Sequence, residues 1–302
     1  MAAAVRPNEL RHLDPAVVAR IESLELRART VVEGFLIGLH RSPFQGFSVE
    51  FSEYRQYMPG DDLSTLDWKV YGRSDRFYVK RFEEETNLDC RILLDVSASM
   101  AYGSHGVTKH AYAVSLAASL AYLMHRQRDA VGLVAFDDDI ATEVPVSGRP
   151  GHLRRVLAAL DRLETGRRSD VARPLTRLAE ALTRPGLVVV VSDLLDEPKS
   201  VLRGLRHLRS RGADVIVLHL LDPAERSFPF RRVTRFRDLE TGAEVRTLAS
   251  RVRARYREAM DGLVAAYERD LRLADVDYHR LDTSKPLDGA LQSYLAARAR
   301  RP

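Results

Sequence analysis

The sequence predicts an α/β protein: a mostly parallel sheet flanked by helices, with a small α+β element before it. Three observations predict this. The runs CRILLDV (90–96), AVGLVAF (130–136), LVVVVSD (187–193) and ADVIVLHLL (213–221) are almost unbroken apolar stretches. That is the pattern of strands buried on both faces. Segments with apolar residues at helical spacing lie between them, so strands alternate with helices. Finally, Asp95 closes the first run and Ser192-Asp193 the third. Open parallel sheets present their functional groups beyond such strand ends.

The elements follow in order. Residues 14–33 carry Val17, Val18, Ile21, Leu24, Leu26 and Val31 at helical spacing. Asp14-Pro15 supplies a cap and a first turn, so one first helix is expected. Residues 34–88 are rich in glycine, proline and scattered aromatics, which fits short strands and turns, with RFYVKRF (76–82) as one strand. Helices are expected over 109–127, with Thr108 as cap, and over 149–163, 171–183, 198–211, 249–273 and 287–300. IATEVPV (140–146) alternates and contains Pro145, which suits an edge strand. Residues 230–248 read as a hairpin turning at Glu240-Thr241-Gly242, and VDYHRL (276–281) as a last strand. The organisation expected is an N-terminal helix and β-rich element over 1–88, the α/β domain over 89–285, and a C-terminal helix over 286–302 packed on it.

Composition bounds the function. The chain has 302 residues, 45% of them hydrophobic, a net charge of +5 and a pI near 9.4. Of 47 basic residues only five are lysine, and the many arginines are spread along the chain against 42 acids. This reads as general surface chemistry, so no nucleic-acid partner is expected. The N-terminus lacks a secretory pattern, and the densest apolar run, Leu187–Val191, is far too short to span a bilayer. A cytoplasmic protein without a membrane span is the expectation. The single cysteine, Cys90, offers neither a disulfide nor a zinc set and reads as a buried strand residue. The nine histidines include no HExxH pattern.

The candidate site gathers Asp95, Ser97 and Ser99 after the first strand, Ser192-Asp193 after the third, and Ser169-Asp170 before the helix at 171. Carboxylates and hydroxyls without histidine or cysteine make a hard, oxygen-only environment, which suits Mg²⁺, with Mn²⁺ or Ca²⁺ as alternatives. In a tight loop alternate side chains point the same way, so the D-x-S-x-S spacing lets Asp95, Ser97 and Ser99 converge. Other polar features read structurally. Asp61, Asp62, Asp67 and Trp68 suit a turn and a packed ring, and Asp137–Asp139 a hairpin tip. His105 suits a solvated loop, and Arg203, Arg206 and Arg209 a solvated helix face.

DVSAS resembles the metal-ion-dependent adhesion motif of von Willebrand factor A domains. The resemblance implies metal ligands at Asp95, Ser97, Ser99 and Asp193. It also implies a hydroxyl ligand in a further loop, where Ser169 stands in place of threonine. FQGFSVEFSEYRQYMPGDD (44–62), LDW (66–68) and YVKRFEEE (78–85) are similar to the domain of unknown function 58 family. With the later motif, the resemblance covers roughly residues 30–225. It implies a von Willebrand factor A-like domain, and a role beside MoxR-type AAA+ ATPases in assembling or activating other proteins. The expected function is a non-catalytic, Mg²⁺-dependent interaction module. Its partner, such an ATPase or its client, would offer an acidic side chain to the ion. Two alternatives remain, a metal-dependent hydrolase or phosphotransferase using Asp95, and a nucleic-acid binder. Against the first, the position two after Asp95 is Ser97 rather than an acid, and there is no P-loop or nucleophile elbow.

Overall fold

The computed structural model describes residues 14–40, 54–56, 78–80, 88–166 and 170–299. A six-stranded sheet organises them. Its strands are β3 (Asp89–Asp95), β4 (Ala130–Phe136), β5 (Ile140–Ser147), β6 (Leu187–Ser192), β7 (Asp214–Leu221) and β10 (Asp277–Asp282). Their spatial order is β10-β7-β6-β3-β4-β5, all parallel except β5, which runs antiparallel along β4. This is the architecture predicted from the buried runs. β5 lies at one edge, as its alternation and Pro145 suggest, and β10 at the other.

The chain moves outward from β3 to β4 and β5, then returns to place β6, β7 and β10 on the far side. The direction of winding therefore switches between β3 and β6. Their carboxyl ends flank the crevice in which open α/β sheets bind ligands.

Side chains alternate between two apolar layers. Ile92, Leu94, Val189 and Val191 face one layer, with α2 (Leu24–His40), α3 (Lys109–Arg126), α4 (His152–Asp161) and α9 (Asp288–Ala299). Leu93, Val188 and Val190 face the other, with α5 (Ala172–Ala181), α6 (Pro198–Ser210) and α8 (Ala249–Leu273). Every residue of β6 is buried, which explains its uninterrupted valines. Cys90 is a buried strand residue.

The expected single helix over 14–33 is two helices, α1 (Pro15–Val18) and α2. Asp14 caps α1 through the amide of Ala16. The break between them is fastened by Arg27, whose guanidinium donates to the carbonyls of Ala19 and Ile21 and to Ser115 Oγ on α3. Helical periodicity ran through the break because both helices lean on the same core. Within residues 34–88, β1 (Tyr54–Gln56) pairs antiparallel with β2 (Tyr78–Lys80). The Asp61, Asp62, Asp67 and Trp68 region lies outside the described residues. After β7 come α7 (Pro223–Ser227) and the hairpin β8 (Val233–Arg237) and β9 (Glu244–Leu248), turning through Gly242 at φ 72° as predicted. Among the described residues, no helix is long and apolar enough to cross a membrane.

Candidate functional site

Asp95 ends β3 and is fully buried. Its Oδ1 accepts from the amide of Ser97 at 2.9 Å, which folds the loop back over the strand end. Its Oδ2 accepts from the Ser192 hydroxyl at 2.6 Å. Ser192 Oγ in turn accepts from the amide of Leu194 at 3.0 Å. Leu194 is buried with φ 50°, a left-handed conformation that costs a branched residue energy. Its carbonyl accepts from Tyr267 Oη on α8 at 3.2 Å, so α8 holds the kinked loop that aims Asp193. The hydroxyls of Ser97 and Ser99 stand 3.1 Å apart, as the alternating spacing predicted. The structure thus brings Asp95, Ser97 and Ser99 together in one loop. Asp193 lies on the neighbouring strand end. Ser169 lies outside the described residues, although the loop leading to it is close, since Gly166 donates its amide to the carbonyl of Val96.

Beside this set is a buried cation that sequence reasoning missed. Lys109, the first residue of α3, is fully buried. Its Nζ donates to Asp193 Oδ2 at 2.7 Å and to Glu225 Oε1 at 2.6 Å. Burial pulls the ammonium pKa down, but the two carboxylates outweigh it and hold it above its ordinary value. Glu225 belongs to α7, where it forms a capping box with Asp222: each side chain accepts from the backbone at the other's end of the turn. Asp222 also accepts from the Ser104 amide at 2.9 Å and from its hydroxyl at 2.5 Å, tying the loop after Ser99 to the end of β7. D-P-x-E at 222–225 is a legible capping signature. Nothing local in the sequence marks Lys109 as the partner of Asp193.

The electrostatics separate the two aspartates. Asp193 is compensated by Lys109 and also accepts from the Leu195 amide at 3.3 Å. Among the described residues, Asp95 touches no cation. Burial first, then the charge of Asp193, push its carboxyl up to about 7, against the hydrogen bonds from Ser192 and Ser97. His219 on β7 completes the floor. Burial brings it down to about 4, so it stays neutral, and its Nδ1 lies 2.7 Å from Tyr278 Oη.

Three peripheral expectations change or hold. His105 is half-buried instead of a free loop side chain: its Nε2 lies 3.1 Å from the carbonyl of Thr283 and its Nδ1 3.4 Å from Asp222. Arg203 and Arg206 are exposed, but Arg209 is drawn in by Asp214 and Asp275, so the helix face is not uniformly solvated. Asp137–Asp139 form the tight β4–β5 connection, with Asp139 paired to Arg173 and Arg177.

The residues fit a small, hard cation in one respect and not in another. Asp95, Ser97 and Ser99 form an oxygen-only set around a buried carboxylate that no described cation compensates. However, no cluster of three or more carboxylate, histidine or cysteine ligands exists among the described residues. Any such ion would rest on few charges and would need oxygens from outside.

A parallel sheet with an Asp/Ser-lined switch point defines an α/β protein of the kind the von Willebrand resemblance implies. Residues 53–263 match the family described as "Protein of unknown function DUF58", and the chain belongs to that family. It is 29% identical over 232 residues to "Uncharacterized protein Rv1480" of Mycobacterium tuberculosis, covering 76% of this chain and 73% of that one. The same figures hold for "Uncharacterized protein Mb1516" of Mycobacterium bovis. Among solved structures it is similar to the conserved hypothetical protein BatB of Bacteroides thetaiotaomicron. The identity there is 17% and the TM-score 0.49, over 71% of this chain and 100% of that one. An aerotolerance-related membrane protein of Bacteroides fragilis gives 18% identity and a TM-score of 0.48, over 70% and 99% of the two chains.

Proposed function

We propose that this chain is a non-catalytic protein-interaction module with a divalent-cation site. Asp95, Ser97 and Ser99, with Asp193 behind them and Ser169 as a further hydroxyl, would hold Mg²⁺. The observation that supports this is the buried Asp95 carboxylate beside two convergent serine hydroxyls, with no cation of its own among the described residues while Asp193 has Lys109. When bound, the ion would neutralise Asp95 and leave a position for an outside carboxylate oxygen. The chain's own residues do the rest. Ser192 and the Ser97 amide fix the Asp95 carboxylate, and Lys109 holds Asp193 in place. The rim at the sheet's carboxyl edge then offers a partner's acidic side chain a defined seat.

A binding role fits better than catalysis. Both oxygens of Asp95 accept hydrogen bonds and the group is fully buried, so it is poorly placed to attack a substrate. Among the described residues, none of the hydrogen bonds to Asp95 comes from a histidine or cysteine. The family resemblance makes a MoxR-type AAA+ ATPase, or its client, the partner of choice, and we place the function in the cytoplasm.

The test is a calorimetric titration of Mg²⁺ and Mn²⁺ into wild type and Asp95→Ala. It is paired with capture of partners from native lysate in Mg²⁺ and in EDTA. Saturable binding by wild type alone, with a partner retained only by wild type in Mg²⁺, is expected. Equal capture under all four conditions would make the Asp/Ser cluster structural.

A further inference from the structure

Between Arg231 and Arg257 stand nine arginines against three acids, Asp238, Glu240 and Glu244. This stretch alone is more positive than the whole chain, whose net charge is +5. Its centre is the β8–β9 hairpin. There Arg235 stands directly across from Arg246. Like charges placed opposite one another on a ladder are destabilising. The acid near this pair, Glu244, is 3.7 Å from Arg235. Arg235, Arg237 and Arg246 are all exposed and share one face by register. The opposite face carries Phe236 beside Val245.

The hairpin is also where apolar surface is left uncovered. Seven large apolar side chains are exposed among the described residues. Three of them, Val233, Leu239 and Val245, belong to this hairpin, and a fourth, Leu195, lies two residues beyond Asp193. Val245 is 61% exposed. The hairpin is nevertheless firmly rooted. Phe228 stacks on Phe236 at 5.3 Å and on Tyr256 at 4.5 Å, and Arg253 donates to the carbonyl of Phe230. It leaves the sheet's carboxyl edge directly after α7, whose Glu225 holds Lys109. Among the described residues neither strand pairs with a third, and a two-stranded ribbon is marginal by itself.

We propose that a free edge of this hairpin takes up an extended segment of a partner protein in which acidic and apolar residues alternate. Successive side chains of an added strand point to opposite faces. On the β9 edge, acids would then lie beside Arg246, one strand from Arg235, and apolar groups beside Val245, one strand from Phe236. Backbone hydrogen bonds supply affinity and the two faces supply selection. The aromatics argue for a protein segment over a nucleic acid. Phe228, Phe230 and Phe236 pack on one another instead of forming an open stacking platform. The proposal does not rest on the cation site, so its test is run in EDTA.

The probe is a fluorescein-labelled decapeptide of alternating glutamate and valine, followed by anisotropy with the full chain at low salt. A peptide of the same composition, five glutamates then five valines, controls for charge alone. Wild type should bind the alternating peptide at least tenfold more tightly than the blocked one. Arg235→Gln/Arg246→Gln should lose at least tenfold, and Val245→Asp should lose binding with unchanged thermal unfolding. Arg203→Glu, exposed on α6, should bind like wild type. Equal affinity for the two peptides, binding undiminished in the arginine variant, or no binding at all would overturn the proposal. Tighter binding of a twenty-residue oligothymidylate than of the alternating peptide would overturn it in favour of a nucleic-acid surface.

Discussion

Replacing Lys109 with methionine tests the electrostatic account of the site most directly. The side chains are of similar length, so packing changes little while the ammonium disappears. Two carboxylates, Asp193 at 1% and Glu225 at 13% exposure, lose their shared donor at 2.7 and 2.6 Å. Removing one partner of a buried pair costs about 3–5 kcal/mol, because a charge is left behind without compensation. At about 2–4 °C per kcal/mol for domains of this size class, the melting temperature should fall by roughly 10 °C. Glu225 can relieve part of the strain by taking up a proton, since burial already raises its pKa. Glu225→Gln should therefore cost less, about 1–3 kcal/mol. The double variant Lys109→Met/Glu225→Gln should cost less than the two single losses added. Urea unfolding of all four proteins at pH 7 in EDTA reads these quantities. Millimolar Mg²⁺ should stabilise Lys109→Met more than wild type, since a second cation near Asp193 then has more to offset. A Lys109→Met loss below about 1 kcal/mol, or strict additivity in the cycle, would refute the reasoning.

Other perturbations reach other parts of the same edge. His219 is held near 4 by burial, below its ordinary value, so the unfolded chain binds its proton first as pH falls. Its contribution is complete above about pH 6.5 and is lost between 6.5 and 4, up to about 3 kcal/mol. In thermal melts across that range, His219→Phe should flatten the acid slope, and an unchanged slope would contradict this. Asp222→Ala removes the α7 cap and both bonds to Ser104, and should cost about 2–4 kcal/mol by urea unfolding. Gly204→Ala would gain up to about 1 kcal/mol of helix propensity. Its new Cβ would sit 2.8 Å from Leu175 Cβ, however, and overpacking of about 1–3 kcal/mol should win, giving a lower melting temperature.

The buried strands were legible because each is apolar along its whole length, and β6 shows why: both of its faces are covered. Asp95, Ser97, Ser99 and Asp193 were legible because they follow such strands directly. The break at Ala19–Ser23 was hidden, since α1 and α2 bury the same stripe and its cause, Arg27, acts through backbone carbonyls eight and six residues back. Lys109 and Glu225 escaped for a different reason. Lys109 meets Asp193 and Glu225 only through tertiary approach, across 84 and 116 residues. Next to a threonine cap, a lysine reads as an ordinary first-turn residue. Ser192, visible in the serine–aspartate pair, gave no sign that its hydroxyl would hold Asp95 on the neighbouring strand.

The crevice formed by α1, α2, α3 and α9 bears on how the molecule comes to be folded. Pro15, Val18 and Phe35 meet Leu287 and Asp288 there, against Val107 and Tyr112. Residues separated by some 270 positions thus line one seam, and the family match over 53–263 covers only its α3 wall. On a ribosome, the early helices emerge long before the segment that seals them. Until Leu287 arrives, the crevice beside Val18 and Phe35 stays open on that side, a period in which exposed apolar surface favours aggregation or chaperone binding. A late-emerging segment therefore closes a crevice that much earlier helices open.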